Sequence, residues 1–266
     1  MDNKENDKGI LEMVEEAIDE NRVKVYYQPK FSAKGIKVAG VEALCRIENE
    51  YHELVLPGEF IPVLERQESS DAIRRLDWFI ITKACKFLKR LQRERLELLP
   101  VAVNLSRRHL SDEPVEHYMC STANYMEIPH KYLEVELTES AAEDDPLELQ
   151  RLIYRLRGSG FRVAIDDFGT GQANFKFLIE NQVDVIKLDK SLISHGCDDP
   201  REKEVVRDLI RMAKRLGLTV VAEGVENARQ WNFLIDHGCD LLQGYFAAEP
   251  LSEAEFVDFY NSIEVE

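Results

Sequence analysis

The chain has 266 residues, enough for one large core, since α/β barrels commonly run about 250 residues as a single domain. Its 34 basic residues stand against 50 acidic ones, a net charge of -16, which argues against the basic footprint needed to hold a polymeric nucleic-acid backbone. Cys45, Cys85, Cys120, Cys197 and Cys239 are odd in number, widely spaced and without a CxxC pair, so neither a disulfide framework nor a zinc site is expected and a reducing, cytoplasmic setting is. No apolar run reaches the roughly 18 residues that span a bilayer, and the polar start Met1 to Lys8 does not read as a signal peptide, so no membrane association is expected.

In chain order, Ile10, Leu11, Val14, Ala17 and Ile18 recur at helical spacing among acids and predict a short amphipathic helix over 10–20. Residues 1–21 therefore read as a lead-in segment, and 22–266, which no Pro- or Gly/Ser-rich linker divides, as one domain. Strand-like runs are predicted near 23–29, 38–46, 100–106, 132–138, 161–166, 183–188, 219–222 and 241–244. Helical patterns fall near 71–95, 112–126, 146–158, 173–181, 200–216, 226–237 and 252–263. Strands alternating with helices predict a TIM-like (β/α)8 barrel. The link between the first two strands, Phe31 to Lys37, is shorter than the dozen or so residues a parallel crossover requires, so the first strand should be antiparallel.

Barrel enzymes take their catalytic groups from the C-terminal ends of several strands. Here those ends carry polar groups repeatedly: Glu42, Asn104, Glu136, the pair Asp166-Asp167, Lys187, Glu223 and Gln243. Carboxylates gathered in one mouth repel, by about 4 kcal/mol for two unit charges 4 Å apart at an effective dielectric near 20. Lys187 supplies one positive charge, which does not balance them, whereas two divalent cations would. An all-oxygen ligand set without His or Cys selects hard ions, Mg²⁺ or Mn²⁺, and a two-metal site suits displacement at phosphorus.

Short motifs in fixed order extend this reading across roughly residues 22–262: Tyr27-Gln28-Pro29, Glu42-Ala43-Leu44 followed by Arg46, Pro57-Gly58-Glu59-Phe60-Ile61-Pro62, Asn104-Leu105-Ser106, Glu136-Leu137-Thr138-Glu139, Asp166-Asp167-Phe168-Gly169, Lys187-Leu188-Asp189, Glu223-Gly224-Val225-Glu226 and Gln243-Gly244-Tyr245. With these the chain resembles the EAL-domain phosphodiesterases that hydrolyse cyclic di-GMP to linear 5′-pGpG in bacterial second-messenger signalling. The resemblance implies that Glu42, Asn104, Glu136 and Asp166 hold one metal, and that Asp166 bridges to a second shared with Asp167 and Glu223. It implies that Lys187 orients the attacking water, that Glu223 is also a general-base candidate, and that Arg46, Gln28 and Gln243 meet the substrate. Glu139 would brace the loop after Asp167, and Glu226 would support the site. The alternative is a catalytically weak receptor that binds cyclic di-GMP, but such sensors typically lack one of the metal-binding acids, all of which are present here.

The resemblance further implies a homodimer, formed through the loop 167–175 and the helix after it, and a regulatory domain that this chain does not contain. The chain departs from the family pattern at Cys45, at Gln172-Ala173-Asn174-Phe175 and at Glu249, none of them a metal-ligand position. The six histidines (His52, His109, His117, His130, His195 and His237) show no ligand spacing and read as surface or loop residues. The basic stretch Lys83 to Arg95 reads as a solvated helix face, and Cys239 as packing.

Overall fold

The computed structural model describes residues 2–35, 37–66, 71–110, 114–138, 141, 145–169, 175–196 and 199–264. Its geometry starts from strand β1 (Val23–Ser32), which alternates between two quite different faces. Tyr27 stacks on Phe87 with ring centroids 4.0 Å apart, and Phe31 meets Trp231 and Phe259 edge-on, which fastens one face of β1 to the surrounding helices. Gln28 and Lys30 occupy the other face and are buried as well, inside the barrel. The short connection 33–37 turns β1 into β2 (Val38–Glu48), its antiparallel neighbour, with Gln28 opposite Glu42 and Lys30 opposite Gly40. β3 (Leu54–Val55) extends the pairing at the far end of β2.

From β2 the sheet continues through β4 (Val101–Asn104), β5 (Leu133–Thr138), β6 (Arg162–Phe168), β7 (Val185–Leu188), β8 (Thr219–Ala222) and β9 (Leu241–Leu242), each parallel to the one before. β9 then pairs antiparallel with β1 and closes the circle, while β10 (Leu251–Ser252) pairs antiparallel with β1 at Tyr26 and Tyr27, on the edge away from β2. The fold is thus the (β/α)8-type barrel the sequence predicts, with its first strand reversed. Closure removes exposed edges and places the C-terminal ends of β2 and β4 to β9 around one rim. On one side the interior is filled by Ala164, Val185, Val221 and Leu241, a small apolar cluster separate from the main core.

The surrounding helices are α1 (Asp2–Asp19), α2 (Pro57–Arg66), α3 (Ala72–Glu94), α4 (Pro114–Tyr125), α5 (Pro146–Gly158), α6 (Phe175–Glu180), α7 (Lys190–Gly196), α8 (Pro200–Arg215), α9 (Ala228–Asp236) and α10 (Glu253–Glu264). Asp145 and Asp199 cap α5 and α8 in the same way, each accepting two backbone N–H groups ahead of a proline that tolerates the first helical turn. Two helices escape the sequence periodicity. α2 carries Pro57 at its start and Pro62 inside, so it reads as turns, although Phe60, Val63 and Leu64 form a buried stripe. α7 is too short to show a period.

α1 begins well before the predicted residue 10 and packs against α2 and α3, with Val14 and Ala17 wholly buried. The lead-in therefore contributes to the core. Val14→Asp strands a charge there and should lower the unfolding free energy by about 3 kcal/mol or more; denaturant titration that finds no loss would mean α1 is dispensable to the fold.

Candidate active site

Lys187 is the centre of the rim. It lies on β7, is 1% exposed, and its Nζ stands 2.6 Å from Glu223 Oε1, 2.7 Å from Glu136 Oε2, 3.1 Å from Asp166 Oδ1 and 3.5 Å from Glu42 Oε2. Four strands thus send carboxylates to one ammonium group. Ligand oxygens of Glu42, Glu136 and Asp166 lie within 4.8 Å of one another, a spacing a single cation can bridge. Asn104 donates to Glu42 Oε1 at 3.0 Å, and Gln243 donates to Glu42 Oε2 at 2.7 Å and to Gln28 Oε1 at 3.0 Å. Gln28 reaches the Ala248 carbonyl at 3.4 Å.

The carboxylates do not share one charge state. Burial works against ionisation of Glu42, but Lys187, Lys30, Gln243 and Asn104 outweigh it and bring its pKa down to about 2. Burial dominates at Glu136 and, with Glu42 beside it, raises its pKa well above the usual range despite two lysines. Burial likewise lifts Glu223 to about 7, with Lys187 opposing and Asp166 and Glu42 reinforcing the shift. Burial works against the charge on Lys187, yet Glu136 and Glu42 carry its pKa well upward. Such groups exchange protons as a set rather than singly.

Asp166 and Asp167 are consecutive, and strict strand alternation would send them to opposite faces. The register of β6 against β7 slips between Ile165 and Phe168, and Asp167 adopts a left-handed backbone with φ 56°. A bulge of this kind re-aims side chains beside active sites. The Asp167 N–H donates to Asp166 Oδ1 at 2.8 Å. Asp166 is buried, while Asp167 stands at the exposed edge of the cluster. Partial burial raises its pKa, with the charges of Asp166 and Asp189 adding to the effect.

Two glycines hold the rim tightly. Gly224, directly after Glu223, has φ 61°, and a Cβ there would fall 2.3 Å from Lys190 Cβ. Gly244, directly after Gln243, lies so near Val225 that a Cβ would stand 2.2 Å from its carbonyl oxygen.

The other sequence-predicted residues lie further out. Arg46 sits two alternations beyond Glu42 on the same face of β2, donates to the Cys45 carbonyl at 2.7 Å and lies over the Tyr26 ring at 6.0 Å. Glu226 is exposed, and its backbone N–H donates to Gln230 Oε1 at 2.7 Å. Glu139 and the loop residues 170–174, including Gln172, Ala173 and Asn174, lie outside the described residues.

Sequence reasoning missed Lys30 and Glu134. Lys30 Nζ lies 2.8 Å from Glu136 Oε1 and 3.2 Å from Glu134 Oε1, so Lys187 is not the cluster's only cation. The signal was present: Lys30 shares a strand face with Gln28, and Glu134 shares one with Glu136. A correction applies to His109, which is fully buried rather than a surface residue, because Asp77 Oδ2 lies 3.1 Å from its Nε2 and offsets the cost of burial. Asp77 Oδ2 also accepts the Ser106 N–H at 3.0 Å, which ties down the segment after Asn104.

Residues 11–250 match the EAL domain family. The chain belongs to that family. Among curated relatives it is 37% identical over 258 residues to the signaling protein YkoW of Bacillus subtilis, covering 97% of this chain and 32% of that protein. It is 34% identical over 260 residues to the cyclic di-GMP phosphodiesterase NbdA of Pseudomonas aeruginosa, covering 95% and 32%. The EAL chain thus spans about a third of the length of these relatives. Among solved structures, that of the PaMucR phosphodiesterase in its c-di-GMP complex superposes with a TM-score of 0.86 at 27% identity, covering 93% of this chain and 99% of that one. An EAL domain protein from Listeria monocytogenes EGD-e shares the fold, with a TM-score of 0.81 at 24% identity over 94% and 97% of the two chains.

The raised Glu223 value has a consequence for stability. An acid whose pKa is higher folded than unfolded binds more protons in the native state between the two values, so its contribution to stability falls as pH rises from 4.5 to about 7. In the presence of chelator, Glu223→Gln should therefore gain stability relative to wild type between pH 4.5 and 8, by at most about 3 kcal/mol. Denaturant titrations at both pH values test this, and parallel pH dependence in the two proteins would contradict it.

Proposed function

We propose that this EAL domain is a metal-dependent phosphodiesterase that opens cyclic di-GMP to linear 5′-pGpG. One observation carries the reading: oxygens of Glu42, Glu136 and Asp166 converge within 4.8 Å around the Lys187 ammonium, with Glu223 at 2.6 Å from the same nitrogen. Relatives and a structural neighbour named for cyclic di-GMP support the substrate.

The donor set fits hard cations. It is all oxygen, carboxylates outnumber the ammonium groups, and Gln243 Oε1 is buried without a hydrogen-bond partner among the described residues. Glu42, Asn104, Glu136 and Asp166 would hold one Mg²⁺ or Mn²⁺, and Asp166, Asp167 and Glu223 a second. Bound there, the two ions would supply Lewis-acid stabilisation of charge at the phosphorus and a lower pKa for water.

The chain's own residues do the rest. Lys187 orients the attacking water by hydrogen bonding and stabilises charge that develops in the transition state. Glu223 accepts the water's proton as the general base. The water oxygen bonds to phosphorus as the bond to the 3′ oxygen breaks, and the departing 3′ oxygen takes a proton from solvent and leaves as a hydroxyl. Arg46 pairs a substrate phosphate with its guanidinium, and Gln28 and Gln243 contact the ligand beside it. Glu226 and Glu139 support the rim.

The domain also pairs with a second copy through the face that carries α6. Ile179 there is 82% exposed, Tyr154 on α5 is 81% exposed, and Gln150 Nε2 of α5 donates to the Glu180 carbonyl of α6 at 2.8 Å. Apolar surface of this kind favours association.

Incubation with cyclic di-GMP and Mg²⁺ or Mn²⁺ should yield pGpG, and full turnover in excess chelator would refute the metal site. Glu42→Ala should abolish hydrolysis while the chain remains folded. Arg46→Ala should raise KM, whereas Lys187→Ala should lower kcat by about 100-fold or more, the scale on which a preorganised transition-state donor acts. A Lys187→Ala enzyme with only KM altered would remove Lys187 from the chemical step. Light scattering should find a dimer; a wild type that stays monomeric and active at all concentrations would exclude coupling of the two.

A further inference from the structure

Lys30 is 2% exposed, so bulk solvent offsets little of the cost of burying its charge. Its partners make it part of a line of alternating charge through the barrel. Arg162 Nε lies 3.5 Å from Glu134 Oε2, Glu134 Oε1 lies 3.2 Å from Lys30 Nζ, and Lys30 Nζ lies 2.8 Å from Glu136 Oε1. The second oxygen of Glu136, Oε2, is 2.7 Å from Lys187. Glu136 is thereby gripped at both oxygens by two different lysines, one on the reversed strand β1 and one on β7. Gly40, opposite Lys30 on β2, lies against the lysine stem, and a Cβ there would meet Lys30 methylenes at an ordinary 3.8 Å but the Pro100 carbonyl at a tight 3.3 Å.

A buried ion pair rarely stabilises a fold more than apolar residues of the same volume, so packing alone gives little reason for this arrangement. Its geometric effect is specific. With Oε1 held by Lys30, Glu136 keeps Oε2 on the side of Lys187, which also meets Glu42 and Asp166. We propose that Lys30 is a positioning residue for the reaction, holding the Glu136 carboxylate in its working orientation, with Glu134 as the counter-charge that makes the buried ammonium tolerable. This rests on the proposed metal-dependent function, in which Glu136 is a ligand. Groups that orient a ligand from behind typically change metal affinity or activity by about 10–100-fold when removed.

The experiment compares wild type, Lys30→Met, Glu134→Gln and the double variant Lys30→Met/Glu134→Gln by Mn²⁺ titration calorimetry, thermal denaturation and kinetics with cyclic di-GMP. Lys30→Met leaves Glu134 without its ammonium and should lose thermal stability. The double variant removes that stranded charge and should regain much of the loss. It should nevertheless bind Mn²⁺ about 10–100-fold more weakly than wild type and show reduced kcat with KM little changed. Glu134→Gln alone keeps Lys30 on Glu136 and should lose less Mn²⁺ affinity than either variant lacking Lys30. A double variant that is stable and matches wild-type Mn²⁺ affinity and kcat overturns the assignment and leaves Lys30 a purely structural residue. A wild type that takes up no Mn²⁺ overturns the proposed metal-dependent function, and this inference with it.

Discussion

Charge compensation inside a closed barrel is the constraint on which the rest of the structure depends. Glu42, Glu136, Asp166 and Glu223 arrive from four strands at a place from which water is largely removed, and the Lys187 ammonium meets all four. Removing carboxylates from water is costly, and their mutual repulsion grows as the dielectric falls. A barrel that closes around such a group therefore has to supply cations, and it supplies one from above, Lys187, and one from beneath, Lys30. The two lysines still leave an excess of negative charge around the rim, which is the condition under which hard divalent cations bind.

The fold serves that arrangement. Parallel strands deliver their C-terminal ends to one rim, and the alternation of each strand separates a helix-facing apolar surface from an inward one that carries the polar groups of the rim. The reversed strand β1 has a particular use. Because it runs the other way, Lys30 near its C-terminal end lies deep in the barrel, while Gln28 stands higher, opposite Glu42. A parallel first strand would invert that order. Outside, Tyr27 and Phe31 are locked into aromatic contacts with α3, α9 and α10, which fixes the strand that carries both inward residues.

Proton affinity is distributed unevenly across the cluster, and the reason is local. Glu42 has Lys187, Asn104 and Gln243 at its oxygens and stays ionised, whereas Glu223 is half-buried with Lys187 as its main offset and has its pKa moved toward neutrality. Separated values of this kind let one carboxylate remain a fixed negative charge while another takes up a proton. The bulge at Asp166 and Asp167 adds a second asymmetry, one acid buried and its neighbour at the solvent edge.

Much of this was legible in the sequence because periodicity and motif order are local properties. Apolar strand runs, the short link from Phe31 to Lys37 and the polar strand ends of Glu42, Asn104, Glu136, Asp166, Lys187, Glu223 and Gln243 together determined the barrel class and the reversed strand and pointed to the rim where those ends meet. Where sequence reasoning fell short, the missing information was three-dimensional. Lys30 and Glu134 look like ordinary charged residues until closure brings β1 and β5 within ion-pair distance across the interior. His109 looks like a loop histidine until Asp77, far away in the chain, is placed against it. The proton affinities and the re-aiming of Asp167 follow from burial, from the register slip of β6 against β7 and from the distances between residues far apart in sequence. Tertiary structure alone decides these, because electrostatic energy in a dry interior depends on which charges meet and how completely water is excluded.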